Sequence, residues 1–269
     1  IEAFLEFLDG SIDFDLLDFA YTEDTVLIEY TQNSFTFEGY MANGTHSAMF
    51  DFTNNTLTVS SYDFSRGYIM PSSLDPYGSV TYQSHESTVV TETTIPLGAY
   101  NVDLVKYNDG TNTHFVIPFH IAKLLFLNSH KFNVYYNGVK ITGYDDAYVA
   151  CDENELDPAL YEMNFGPLND QDLPRDLKIA SYHFLALTFD YFHGIKDEDS
   201  IDSYYEIIVS YAKDIIEGNE SVFVESFWKS LIEVDDPGTW YSRVGYYDNN
   251  PISYLEPSYN ESLNRIREL

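Results

Sequence analysis

The chain has 269 residues, 44% hydrophobic and 17% aromatic, enough for a sizeable core and too much apolar material for a disordered chain. Thirteen basic residues against 44 acidic ones give a formal charge of −31, which argues against nucleic acid or an anionic membrane, since phosphate binding needs clustered Lys and Arg. A single cysteine, Cys151, excludes an internal disulfide and any multi-cysteine zinc site, and no run of 18 apolar residues is present to cross a bilayer.

Residues 1–150 read as a β-rich antiparallel domain with one short helix. Tyrosine (24) and phenylalanine (19) favour strands, and alternating segments recur at TVLIEY (25–30), SFTFEGY (34–40), SAMFDF (47–52) and TLTVSSY (56–62). Further ones follow at YNVDLVKY (100–107), THFVIP (113–118), FNVYYNG (132–138) and VKITGY (139–144). Asn43-Gly44, Asp109-Gly110 and Asn137-Gly138 supply the positive φ angles that a type I′ hairpin turn requires. Pro118 opens a helix with Ile121, Leu124, Leu125 and Leu127 on its apolar face, ended by Asn128.

Residues 151–174 are acidic, contain prolines and show no period, as expected of a linker. Residues 175–269 read as a small helical bundle, so the fold class is α+β. Its first helix runs from Pro174 to His193 and stops at Gly194. A second, capped by Ser200, carries Tyr204, Ile207, Ile208, Tyr211 and Ile215 and ends at Gly218. A third covers about Glu220 to Val234 with Val222, Phe223, Phe227, Leu231 and Ile232 inward, and a last one starts at Pro257.

No motif supplies a self-contained active site. Ser226-Phe-Trp-Lys229 fits S-x-x-K and Ser258-Tyr-Asn260 resembles a second element, but K-T-G is absent, and the serine reads as solvent-facing in mid-helix. His114 and His120 are six apart and His183 and His193 ten apart, neither being the i, i+4 spacing of a helical metal pair. The run Lys196 to Ser200 lacks the glycine and terminal glutamate of a calcium loop. No catalytic, cofactor-binding or metal-ligating residue is assigned, and no cofactor is expected.

Two stretches carry a family resemblance. In residues 100–145, Tyr100, Asp103, Leu104, Pro118, Leu124, Tyr136, Asn137 and Gly138 match a Tyr-Asp-Leu strand, a Pro-ended strand, a short helix and a Y-N-G hairpin. In 185–208 and 227–242, an apolar helix ending in Gly is followed by two more helices and a turn matched by Asp235, Asp236, Thr239 and Tyr241. Together they resemble the region ahead of the catalytic domain in exported bacterial proteins of the C-terminal processing (tail-specific) serine peptidase family. The resemblance implies a non-catalytic amino-terminal region that recruits a partner or substrate and packs on a catalytic domain. Where the tricorn-like branch has a histidine in that turn, this chain has Gly238, which has no side chain to accept a proton. A chain beginning at Ile1 without a leader and ending in NRIREL reads as a piece of a longer, exported or envelope protein. A different reading, an extracellular module binding glycan or protein through a tyrosine-rich sheet, predicts a contiguous exposed aromatic patch.

Overall fold

The computed structural model describes residues 1–8, 12–32, 44–60, 64, 92–127, 132–145, 162, 166–168, 171–192, 201–234 and 247. The fold is α+β, in two compact units: Ile1–Tyr135 with Asp145–Ala147, and Tyr136–Tyr144 with Tyr148–Leu269.

In the first unit, β1 (Asp18–Tyr21), β2 (Thr25–Gln32), β3 (Gly44–Asp51), β4 (Thr56–Val59) and β5 (Thr93–Pro96) form one sheet in chain order, each antiparallel to the next. Alternation dictates its buried face. Val26 opposes Phe50, Phe50 opposes Leu57 and Leu57 opposes Ile95, so one apolar row crosses four strands; Ile28, Ala48 and Val59 form the next. The opposite face carries threonines that bond across strands, Thr58 to Thr94 and Thr31 to Thr45, each 3.0 Å apart. A slip of one residue in β2 would expose Val26, Ile28 and Tyr30 and bury Glu29, at roughly 2 kcal/mol for each apolar side chain, so the register is strongly specified. Phe64 links that face to α2 (Phe119–Phe126): its ring lies 5.5 Å from Tyr30 and 5.7 Å from Phe126. α1 (Glu2–Phe7) joins α2 edge-on through Phe4 and Phe119.

The apolar face of α2 is Ile121, Ala122, Leu125 and Phe126, with Leu124 only half-buried. His120 lies on the same helix, where burial pushes its pKa down to about 4.

Among the described residues, three turns share one device, an Asp or Asn side chain accepting two backbone N–H groups. Asp51 Oδ1 accepts from Thr53 (2.9 Å) and Asn54 (2.8 Å), and Asp109 Oδ1 from Thr111 and Asn112 (both 2.8 Å). Asn137 Oδ1 accepts from Val139 (3.0 Å) and Lys140 (2.9 Å). The type I′ expectation at Asp109-Gly110 and Asn137-Gly138 is thereby corrected. Only the glycines have positive φ, +93° and +88°, because the preceding residue stabilises the turn with its side chain instead of its own φ. The Asn43-Gly44 turn, the segment 34–40 and the helix from Pro257 lie outside the described residues, except that Gly44 begins β3.

Asn55, which closes the β3–β4 turn with φ +53°, has a further role. Its Nδ2 donates to the Val102 carbonyl and its Oδ1 accepts from Leu104 N–H, both at 2.8 Å, as a neighbouring strand would. The expected strand 100–107 is consequently shorter. Leu97–Tyr100 is a 3₁₀ turn, Asn101 is left-handed (φ +52°), and β6 covers only Val105–Asn108. The buried Leu97 and Tyr100 and the Asn55 bonds take the place of ladder pairing before residue 105.

In the second unit, α3 (Arg175–Phe192) buries Tyr182, Leu185, Ala186, Leu187 and Phe189. Phe189 meets Tyr204 at 5.1 Å, and Asp190 accepts bonds from Ser203 Oγ (2.7 Å) and Tyr204 N–H (2.8 Å), pinning the next helical segment. That segment is broken into α4 (Tyr205–Ile208), a 3₁₀ turn (Val209–Tyr211) and α5 (Ala212–Glu217), where one helix is expected. The β-branched run Ile207-Ile208-Val209 and Ser210 weaken helix propensity there; the expected cap, Ser200, is outside the described residues. α5 packs on α3 and on α6 (Glu220–Ile232). Gly218 makes the α5–α6 bend: a Cβ there would come 2.3 Å from the Asp214 carbonyl. Asn219 caps α6 by accepting Val222 N–H, while Asp172 accepts Glu220 N–H (3.0 Å) and Glu220 accepts Leu173 N–H (3.1 Å).

These contacts fix two expected outcomes. Asn55→Gly keeps the left-handed angle but strips both bonds from Val102 and Leu104, and should cost about 2 kcal/mol; Asn55→Ala should cost about 1 kcal/mol more. Urea unfolding midpoints measure both, and equal losses would contradict the separate contribution of φ. His120 protonates near pH 6.5 in the unfolded chain but near 4 when folded. Below about pH 6.5 the unfolded state therefore binds the extra proton, and stability should fall by up to about 3 kcal/mol on acidification to pH 4. Urea titrations of wild type and His120→Gln across that range should differ in slope; identical slopes would refute the assignment.

Candidate partner-binding surface

β6 (Val105–Asn108) and β7 (Thr113–Val116) form a separate two-stranded antiparallel ribbon in the β-rich unit. Val105 opposes Val116, Lys106 opposes Phe115, Tyr107 opposes His114 and Asn108 opposes Thr113. Opposed residues share a face, so Val105, Val116, Tyr107 and His114 lie on one side and Lys106 and Phe115 on the other.

The Lys106 side is held. The Phe115 ring sits 4.9 Å from Phe52 in an edge-on contact and 5.8 Å from Tyr21, which stacks on Phe19. Lys106 forms an ion pair with Asp24, whose carboxyl this bond holds below its usual range. The other side faces solvent: Tyr107 is 58% exposed, Val105 49% and Val116 46%. On it the His114 ring stacks against Tyr107 with centroids 6.1 Å apart, and His114 Nε2 lies 2.8 Å from Asp109 Oδ2. That bond, with the two turn amides, drives the Asp109 carboxyl well below the ordinary carboxylate range. Asp109 thus remains ionised at the tip while its second oxygen orients the imidazole.

This arrangement presents an apolar and aromatic strip on a supported ribbon, with His114 and Asp109 toward its tip. Such a strip can bind a side chain or a sugar ring by contact and stacking. Sequence reasoning finds both strands but not this surface, since alternation marks two faces without saying which is covered. The signal available was Leu104: one step before the ribbon it shares parity with Lys106, and it is buried.

The residues weighed for catalysis are dispersed. Ser226 is buried on α6, contrary to the solvent-facing expectation, because the inward face of α6 is broad and includes Val224, Trp228 and Ser230. Lys229 is exposed and pairs with Glu225 at 2.6 Å. Buried Lys178 donates to the Gly218 carbonyl at 2.6 Å. His183 Nδ1 lies 2.6 Å from the Tyr205 hydroxyl within a cluster including Tyr182; burial lowers the His183 pKa and raises those of both tyrosines. Among the described residues, no group of three or more His, Cys, Asp and Glu is placed to hold a metal ion, and no helix is long and apolar enough to cross a membrane. Cys151, His193, residues 196–200, the turn from Asp235 to Tyr241, and Ser258 with Asn260 lie outside the described residues.

Comparison of the chain with protein-family models, with curated proteins and with solved structures finds no match.

If the fold needs one face of the ribbon and leaves the other free, substitutions should separate accordingly. Phe115→Ala should destabilise by about 2–3 kcal/mol, whereas Tyr107→Ala and Val116→Ser should each stay within about 0.5 kcal/mol of wild type. Denaturant midpoints read the difference, and a large loss in Tyr107→Ala would mean the strip belongs to the core.

Proposed function

We propose that this chain is the non-catalytic amino-terminal region of an exported serine peptidase-family protein, and that its β-rich unit recruits a protein or peptide partner or substrate. The observation carrying the recruitment role is the outward strip of the β6–β7 ribbon: large apolar and aromatic side chains that the fold does not bury. The peptidase setting rests on the two matched stretches, 100–145 and 185–208 with 227–242, and the ribbon falls within the first. A serine hydroxyl needs an adjacent base to become a nucleophile, and in the S-x-x-K match Ser226 is buried on α6 while Lys229 is exposed and paired with Glu225. An extracellular or cell-envelope location accords with that family.

A second reading has its own observation. Tyr107, stacked with His114 and close to the Asp109 carboxylate that His114 contacts, offers the ring-plus-polar-rim chemistry that a glycan uses. Either way the ribbon is a binding surface; the ligand class differs.

Selection of a random peptide display library on the chain, with counter-selection on the Tyr107→Ala/Val116→Ser double variant, tests recruitment. Peptides retained by wild type and lost on the variant are expected, together with absence of fluorophosphonate labelling at any serine. Enrichment of peptides that bind both proteins equally would remove the ribbon from the reading. Stoichiometric labelling of one serine would make the chain catalytic. A glycan array that lights up only with intact Tyr107 would favour the second reading.

A further inference from the structure

We infer that the ribbon takes an extended peptide carrying a cationic residue near each end and apolar residues between; this rests on the recruitment reading and names its partner. The strip is bounded by carboxylates at both ends. Through residues 102–104 burial alternates, Val102 and Leu104 in and Asp103 out, so Asp103 continues the outward row of Val105 and Tyr107 that finishes at Asp109. Six residues of extended chain place the two carboxylates about 20 Å apart. Of the basic groups nearby, His114 lies on the strip itself, and the Ile1 ammonium donates to the Phe115 carbonyl at 3.1 Å. Lys106 lies on the opposite face and is engaged by Asp24, and the imidazole of His114 is already on Asp109. A peptide of six or seven residues in extended form matches that span, its central side chains meeting Val105, Tyr107 and Val116.

Charge selects this occupant over the others. A second copy of the chain would bring another formal −31 to the same surface, and an anionic membrane would be repelled in the same way. A cationic peptide is drawn to it from a distance, and its ends meet ionised acceptors.

The test uses the full chain and a fluorescein-labelled heptapeptide with arginine at both ends and valine, tyrosine and threonine between, read by fluorescence anisotropy. Saturable binding that weakens with added salt is expected. Because so acidic a protein attracts any cation, the decisive comparison is between two double variants of equal charge. Asp103→Asn/Asp109→Asn, whose introduced amide at position 109 still offers the turn an acceptor oxygen, should weaken binding about tenfold. Glu206→Gln/Asp214→Asn, exposed on the helical unit, should change it by about twofold or less. A glutamine-ended peptide should bind about tenfold more weakly than the arginine-ended one. Equal loss in the two variants, or equal binding of the two peptides, overturns the inference. If display selection yields ribbon-dependent peptides that are neutral or acidic, the partner class assigned here is wrong while recruitment stands; if no selected peptide depends on Tyr107 and Val116, recruitment falls with it.

Discussion

One side chain sets the course of the ribbon in the β-rich unit. Asn55 sits where β4 begins and presents an amide edge, donor and acceptor together, to the backbone of residues 102–104. A primary amide is the one small side chain that reproduces the paired donor and acceptor of a strand, and asparagine tolerates the left-handed angle that aims it there. Without it the Val102 carbonyl and Leu104 N–H, flanked by buried side chains, would lack partners that a backbone segment outside the main sheet cannot readily supply. Everything downstream follows from that anchor. It sends the chain out of the Leu97–Tyr100 turn into β6, with Leu104 inward and Val105 outward, and the parity of the ribbon is settled before its first ladder pair.

Parity has functional weight because the two faces of the ribbon are unequal. Half-buried Phe115 against Phe52 and Tyr21, with Lys106 on Asp24, fixes one face by ring contact and by charge. The opposite face keeps three large side chains in water that folding gains nothing by exposing. Single exposed apolar residues are ordinary on protein surfaces; several adjoining on a supported ribbon, bracketed by ionised carboxylates, form a patch with shape and sign. In the second unit the hairpin of residues 136–144 also exposes Tyr136, Val139 and Ile141, while polar side chains of its helices serve their own joints, as Asp190, Lys178, Asn219 and the Asp172–Glu220 exchange do.

Much of the architecture is legible in the residues. The apolar rows of β2, β3 and β4 follow from alternation, and α3 and α6 follow from helical periodicity ended or begun by recognisable cap chemistry. β1 escapes such reading because only Phe19 in Asp18–Tyr21 is even half-buried, and β5 because Thr93–Pro96 ends in a proline. α1 is six residues without a side-chain cap, held by tertiary contacts such as Leu5 in the core. The turn chemistry is half legible: Asp-Gly and Asn-Gly announce a reversal, but whether the first residue contributes φ or its side chain is decided by geometry that no dipeptide encodes. The binding strip is the least legible part. Valine and tyrosine in alternation look like a buried row, and only the clamp at Asn55 and the ring of Phe115 determine that they face outward.

Cysteine accessibility along the ribbon tests the central claim most directly. In a Cys151→Ser background, single cysteines at 105, 107, 114 and 116 should react with an aromatic disulfide reagent at the rate of a free thiol, while one at 115 should react slowly until denaturant is added. Uniformly fast reaction at all five positions, or the reverse alternation, would show that the ribbon is not anchored through Phe115 and that its outward strip does not exist.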